Sequence, residues 1–287
     1  MKTRIFLTGA GGFVGSRIAA EYERKFDVIP CPRGVLRQTD EQAVRALIEN
    51  AKPDIIIHTA AVSDMTRAQE NPEVSRRANV LLPGWLALAA KDARIKLICF
   101  SSDQVYNGCA GKGPFNENEP LAPVNVYGLQ KLEAENRTLD ILPSAVMLRA
   151  TWMYDLPSYG LPIRGNLPMN LIRARLTGEP LHFSATDYRG VTYVREVARL
   201  MEPAFSLPGG AYNFGSGNLL GMYETAREFM RLLGLSEACD QVILPTDNKT
   251  ARSLLMDDQK LSAYQIRFHD TCEGFACCLK DYGLTPR

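Results

Sequence analysis

RIFLTGAGGFVGSRIAAEYER, residues 4–24, is the stretch whose reading decides the fold. Arg4 to Thr8 is a short apolar strand. It runs straight into Gly9, Gly12 and Gly15, and an amphipathic stretch follows from Phe13 to Arg24. Glycines there let the backbone turn tightly and approach a pyrophosphate, which would rest on the helix N-terminus. The spacing is GxxGxxG, with Gly11 additional, rather than GxGxxG. A tight turn with close helix–strand packing is the bland alternative; the position after the first strand favours a phosphate turn.

Working outward, Asp27 to Cys31 reads as a second strand that Pro30 keeps short. Asp40, after Thr39, is a good N-cap for a helix running to Asn50. DIIIHT, residues 54–59, is nearly all apolar, as expected of a strand covered on both faces. Asn71-Pro72 opens a long helix to Ala93, in which Pro83 should make a kink. KLICFS (96–101) and AVMLR (145–149) are further strands around a helix from Val126 to Leu139. This alternation predicts an α/β fold, a doubly wound parallel sheet of Rossmann type, over residues 1–150. Regularity fades at YDLPSYGLPIRGNLP, so residues 151–287 should form mainly a smaller C-terminal substrate lobe. A segment of roughly 188–218 is expected to return to the first domain.

Bulk composition narrows the function classes. Of 287 residues, 46% are hydrophobic and 23% charged, ordinary for a soluble enzyme-sized chain. Lys plus Arg number 33 against 32 Asp plus Glu, which leaves no basic footprint for nucleic acid or an acidic membrane surface. No apolar run is long enough to span a bilayer, and the N-terminus lacks a signal peptide pattern. The seven cysteines form no CxxC pair and only three histidines are present, so no metal site is expected. Reduced thiols and a cytoplasmic location follow.

Tyr127 and Lys131 lie four residues apart in NVYGLQKLEAE and so project from one helix face. A phenol with its free pKa of ~10 is a poor acid at neutral pH, and a neighbouring ammonium lowers it. YxxxK alone is weak; it gains weight after the glycine turn and after Ser102, at the end of another buried strand. CPRG at the end of the second strand has no carboxylate to hold a ribose hydroxyl. Arg33 there either pairs with a 2′-phosphate or is merely solvated, and the lean is toward NADP(H) over NAD(H).

With these residues in hand, the chain resembles the extended short-chain dehydrogenase/reductase superfamily and, within it, the dTDP-4-dehydrorhamnose reductase family. TGAGGFVG, the block KPDIIIHTAAVSDMTRAQENPEVSRRANVLLPGWLALAA, FSSDQVYNG, GPFNENEPLAPVNVYGLQKLEAE, LRATWMY and TARSLLMDDQKL carry the resemblance across nearly the whole chain. It implies that Tyr127 protonates the alkoxide formed as hydride reaches a carbonyl, that Lys131 lowers the Tyr127 pKa and holds the nicotinamide ribose, and that Ser102 hydrogen-bonds the carbonyl oxygen. Gly9, Gly12, Phe13, Val14, Gly15, Arg33, Ala60, Ala61 and Asn79 would bind the cofactor together with Tyr127 and Lys131. Asn79 is as readily a helix-internal amide serving a local group. His58 is read as a buried structural histidine. Asp103, Gln104, Trp152, Arg189 and Thr192 are candidates for substrate contact, although core packing is the commoner fate of a tryptophan.

Two departures bear on the substrate, and a third lies in the closing motif. Gln104 stands where the family often has an aromatic, Val191 where its reductases commonly have proline, and the closing motif lacks the proline after its arginine. Reduction of a 4-keto nucleotide sugar is the first reading. Dehydratases of the superfamily resemble Thr-Asp-Glu where this chain has Ser102-Asp103-Gln104, and Gln104 cannot exchange a proton as a carboxylate does. An epimerase with retained NAD, or a non-catalytic NADP-binding regulatory subunit, are the alternatives. The resemblance is compatible with a homodimer, and no residue compels one.

Overall fold

The computed structural model describes residues 1–32, 34, 40–246 and 251–286. Arg33 and Thr39 therefore lie outside the described residues.

The chain divides into two compact units. The first comprises residues 1–109, 120–149 and 198–212. It opens with β1 (Arg4–Thr8), α1 (Phe13–Tyr22) and β2 (Asp27–Pro30). Next come α2 (Glu41–Ala51), β3 (Ile55–His58), α3 (Met65–Glu70), α4 (Pro72–Arg76), α5 (Leu82–Ala93) and β4 (Lys96–Ser102). It continues through α6 (Val126–Ile141) and β5 (Val146–Ala150). A six-stranded sheet has the order Gly210–Phe214, β5, β4, β3, β1, β2. The β1–β2, β1–β3 and β3–β4 pairs are parallel, so this is the doubly wound arrangement. The chain steps from β1 to β2 on one side and then to β3 on the other. Thr8 and His58 are register partners at the carboxyl ends flanking that reversal, where ligands bind in open α/β sheets.

β3 is buried along its whole length, as a strand covered on both faces must be. Phe6, Ile56, Leu97 and Met147 from four strands meet Val44 and Ile48 of α2 and Leu86 and Ala90 of α5 in one core. Asp40 accepts from Ala43 N at 2.8 Å and starts α2.

The helix expected from Asn71 to Ala93 runs as continuous helical backbone from Pro72 to Ala93, through α4, a π turn over Arg77–Leu81 and α5. Leu82 N donates to Arg77 O across the π turn, and Pro83 follows directly, where the widened turn takes up the proline's missing N–H.

The second unit comprises residues 110–119, 150–197 and 213–287. Tyr154, Leu171, Tyr193, Phe229, Phe275 and Leu279 form its core. Strands Trp152–Tyr154 and Val191–Tyr193 pair in parallel. Residues 198–212 belong to the first unit. Residues 213–218 stay with the second unit because their polar groups are used there. Asn213 donates to the Phe115 and Asp257 carbonyls at 2.9 Å, and Ser216 N donates to Thr192 Oγ1 at 2.7 Å.

Candidate active site

The glycine turn is shaped by close approach. Gly9 adopts φ +71°, in the left-handed region that favours glycine. A side chain on Gly15 would put its Cβ 2.2 Å from the Gly9 carbonyl oxygen and 2.8 Å from Thr59 Oγ1. Gly12 N donates to Gly9 O at 2.8 Å, and Gly12 is itself the N-cap of α1, leaving the first turn without a side chain over it. Such a terminus presents N–H groups and the positive end of the helix dipole to an anion. Phe13 is buried, while the Arg17 guanidinium lies 4.5 Å from its ring centroid and donates to the Phe13 carbonyl at 3.2 Å.

Beneath this turn lies the end of β3. Thr8 Oγ1 and His58 Nδ1 are 2.7 Å apart, and Ala60 N donates to the same hydroxyl at 3.3 Å. Burial holds His58 down at about 3, and the nearby Lys131 pushes the same way. The ring is thus neutral, and its Nδ1 shares a hydrogen bond with the Thr8 hydroxyl. Thr59 Oγ1 donates to Thr8 O at 2.7 Å. Ala60 and Ala61 follow directly as the small residues of this crossing.

Ser102, Tyr127 and Lys131 all belong to the first unit and are nearly enclosed. Asn125 caps α6 by accepting from Gly128 N at 2.7 Å. Lys131 Nζ sits 5.7 Å from the Tyr127 ring centroid and donates to the Phe100 carbonyl of β4 at 2.8 Å. Burial pulls the Lys131 ammonium down to about 8, with Cys99 and Glu135 acting in the opposite direction. Ser102 Oγ donates to Asp103 Oδ1 at 3.1 Å and accepts from Gln104 N at 3.2 Å. Gly128 meets the Gln104 backbone so closely that a Cβ there would lie 2.5 Å from its carbonyl oxygen. That contact brings the start of α6 against the turn beside Ser102.

Gln104 is 4% exposed. Its Oε1 accepts from Asn125 at 3.0 Å and from Asn107 at 3.3 Å, and its Nε2 points to Asp103 Oδ1 at 3.4 Å. The amide joins the Ser102 turn to the α6 cap, a task no aromatic side chain performs. Asn79 sits in the π turn. Its Oδ1 accepts from Val62 N at 2.8 Å, and its Nδ2 donates to Val62 O at 3.1 Å and to Gln130 Oε1 at 2.9 Å. It clasps the segment after Ala61 to the helix of Tyr127 and Lys131.

Trp152, Arg189 and Thr192 lie in the second unit. The Arg189 guanidinium is 5.5 Å from the Trp152 ring centroid. Thr192 is fully buried, bonded to the Thr151 hydroxyl and Ser216 N. Val191 N donates to Thr271 Oγ1 at 3.0 Å, a bond that a proline at 191 would forfeit. Among the described residues no group of acidic, histidine or cysteine side chains could hold a metal, and no helix is long and apolar enough to cross a membrane.

Sequence reasoning passed over Gln130, Glu135, Arg149 and Tyr106. Arg149 binds Glu135 through Nε and Nη2 and donates to Tyr106 Oη at 2.7 Å. Glu135 stands four residues after Lys131, the spacing that marked Tyr127 and Lys131 themselves, and that signal was available.

Comparison with known proteins fits this geometry. The family model described as RmlD substrate binding domain matches residues 3–270. A dTDP-4-dehydrorhamnose reductase of Streptomyces griseus is 30% identical over 245 residues, covering 83% of this chain and 78% of the relative. The spore coat polysaccharide biosynthesis protein SpsK of Bacillus subtilis is 25% identical over 287 residues, with 99% and 93% covered. The crystal structure of dTDP-4-dehydrorhamnose reductase from Bacillus anthracis in complex with NADP shares the fold, with a TM-score of 0.85 at 21% identity over 98% of this chain and 99% of that one.

Proposed function

The chain belongs to the RmlD substrate binding domain family and is an NAD(P)H-dependent oxidoreductase of the extended short-chain dehydrogenase/reductase type; on that footing we propose that it reduces a 4-keto nucleotide sugar at Ser102, Tyr127 and Lys131. The supporting observation is the buried Lys131 ammonium 5.7 Å from the Tyr127 ring, on a helix set against the turn that holds Ser102. The glycine turn fits a dinucleotide: its close packing sets Gly12 at the N-terminus of α1, where no side chain caps the first N–H groups and an anion can take them.

A bound nicotinamide dinucleotide supplies the hydride. The residues do the rest. Ser102 Oγ turns its proton from Asp103 to the substrate carbonyl oxygen and stabilises charge developing there. Tyr127 Oη gives its proton to that oxygen as it becomes an alkoxide. Lys131 stands by as a cation and stabilises the phenolate left behind. NADP(H) is the proposed cofactor on the strength of Arg33, which follows β2 in the sequence.

The test is oxidation of NADPH and NADH with a panel of 4-keto nucleotide sugars, and comparison of the two cofactor Michaelis constants. Turnover with a lower constant for NADPH is expected. A clear preference for NADH would remove the assignment to Arg33. Tightly held NAD with no net consumption of reductant would indicate an epimerase. Absence of turnover with a co-purifying enzyme would indicate a regulatory subunit.

A further inference from the structure

The Glu135–Arg149 pair sits in the same unit as Ser102, Tyr127 and Lys131, and the chemistry above gives it no task. Glu135 is 2% exposed and Arg149 4%. Arg149 Nε lies 3.1 Å from both carboxylate oxygens, and Nη2 lies 2.8 Å from Oε2. Ser101 Oγ donates to Glu135 Oε1. The remaining Arg149 nitrogen, Nη1, donates to Tyr106 Oη at 2.7 Å, and Tyr106 is itself fully buried.

Removing two charges from water costs several kcal/mol per ion, and well-packed apolar residues in place of such a pair are often as stable or more so. Stability is therefore a poor account of this pair, and its connections give a better one. Glu135 is on α6, one turn beyond Lys131. Ser101 lies between Phe100, whose carbonyl holds Lys131 Nζ, and Ser102. Tyr106 ends the short helical turn Asp103–Tyr106 that begins directly after Ser102. Arg149 is on β5. The pair thus holds the side chains of Ser101 and Tyr106, on either side of Ser102, to the helix that bears Lys131.

We propose that Glu135 and Arg149 are positioning residues which fix the backbone around Ser102 and place a carboxylate one turn from the Lys131 ammonium, so that this amine stays charged although it is buried. The proposal rests on the reading of Ser102, Tyr127 and Lys131 as the reduction site. The other titratable groups near Lys131 are His58 on β3, Cys99 on β4 and Tyr127 on α6. His58 is neutral and burial pushes the Cys99 thiol up to about 12; Glu135, one turn from Lys131 on α6, is the carboxylate beside this group, with Arg149 of β5 paired to it.

The experiment compares wild type with the double variant Glu135→Leu/Arg149→Met, which removes both charges at similar volume, and with Glu135→Gln. Lysine labelled with 13C at Cε is titrated by NMR, with the Lys131 resonance assigned from Lys131→Met. NADPH oxidation with the 4-keto nucleotide sugar that wild type turns over gives kcat and KM against pH. In Glu135→Gln, which removes the carboxylate and leaves Arg149 charged, the Lys131 midpoint is expected to fall by about one pH unit and kcat about tenfold; in the double variant, which removes one charge of each sign, the midpoint shifts less, kcat falls through loss of the Ser101 and Tyr106 ties, and melting temperature and KM for NADPH stay near wild type. Glu135→Asp should recover part of both. An unchanged Lys131 midpoint and an unchanged kcat in a folded variant would overturn the proposal. If the double variant does not fold, Glu135→Gln is judged by the same two readouts. If wild type turns over no nucleotide sugar, the functional reading fails, and the Lys131 titration alone decides the inference.

Discussion

The side-chain carbonyl of Gln104 accepts from the Asn125 amide at 3.0 Å, joining the turn beside Ser102 to the N-cap of the helix that carries Tyr127 and Lys131. A Gln104→Glu variant keeps the shape and turns the amide into an acid next to Asp103. As a carboxylate it repels Asp103; as a neutral acid it donates to Asp103 and still accepts from Asn125. Its activity should therefore be depressed roughly tenfold at pH 8 and recover as pH falls, more steeply than wild type. A pH–kcat profile parallel to wild type would refute this.

Tyr127→Phe removes the proton donor and leaves the ring beside Lys131. A fall in kcat of about 10²–10⁴ with a near-constant dissociation constant for NADPH is expected. Stopped-flow reduction and cofactor fluorescence separate the two effects.

Gly15→Ala and Gly11→Ala form a matched pair. The first drives a Cβ to 2.2 Å from Gly9 O, whereas the second meets nothing within 4 Å. Dinucleotide binding, read by fluorescence quenching, should be lost in the first and kept in the second. Equal affinities would deny the turn its role.

Lys131 has its pKa lowered from 10.5 to about 8 by burial. The unfolded chain therefore holds the proton more tightly, so stability rises with pH between about 8 and 10.5 and carries the full penalty below 8. Lys131→Met should abolish turnover yet raise unfolding free energy at pH 7 by about 3 kcal/mol. Urea melts at pH 7 and pH 10 test this, and the gain should shrink at the higher pH.

His58 behaves in the opposite pH range. Its folded pKa of about 3 lies below the ordinary 6.5, so the unfolded state takes up the proton as pH drops below 6.5. Stability should fall by about 1.4 kcal/mol per pH unit across that window, down to about pH 3. His58→Asn, which can still accept from Thr8, should flatten that limb in acid urea melts.

Much of the first unit was legible because its signals are local. The apolar runs of β1, β3 and β4, the glycines between β1 and α1, and the Asp40 cap each depend on neighbours in sequence. The strand Gly210–Phe214 was not legible: GAYNF is short and has no apolar period, and it joins the sheet through a distant partner. The π turn at Arg77–Leu81 also left no trace, since RANVL has ordinary helical composition and only tertiary ties select its geometry. At the candidate site, the shared helix face of Tyr127 and Lys131 could be read from their spacing, and Ser102 was placed by the family resemblance. Gln104 could not be assigned its bracket, because Asn125 lies 21 residues away. Thr192, a candidate for substrate contact, bonds Thr151 and Ser216, partners that sequence alone does not reveal.

The π turn has a consequence for chain length. It holds one residue more than an α-helical turn would, and each helical residue rotates the side-chain direction by about 100°. Deleting a single residue between Arg77 and Leu81 would yield a smoother, intrinsically better helix. It would also swing Asn79 off Val62 and Gln130, unlatching the loop after Ala61 from its neighbour. Here the less regular backbone is the one that holds the segment after Ala61 to α6, and a designer who idealised this helix would gain local order and lose the clasp.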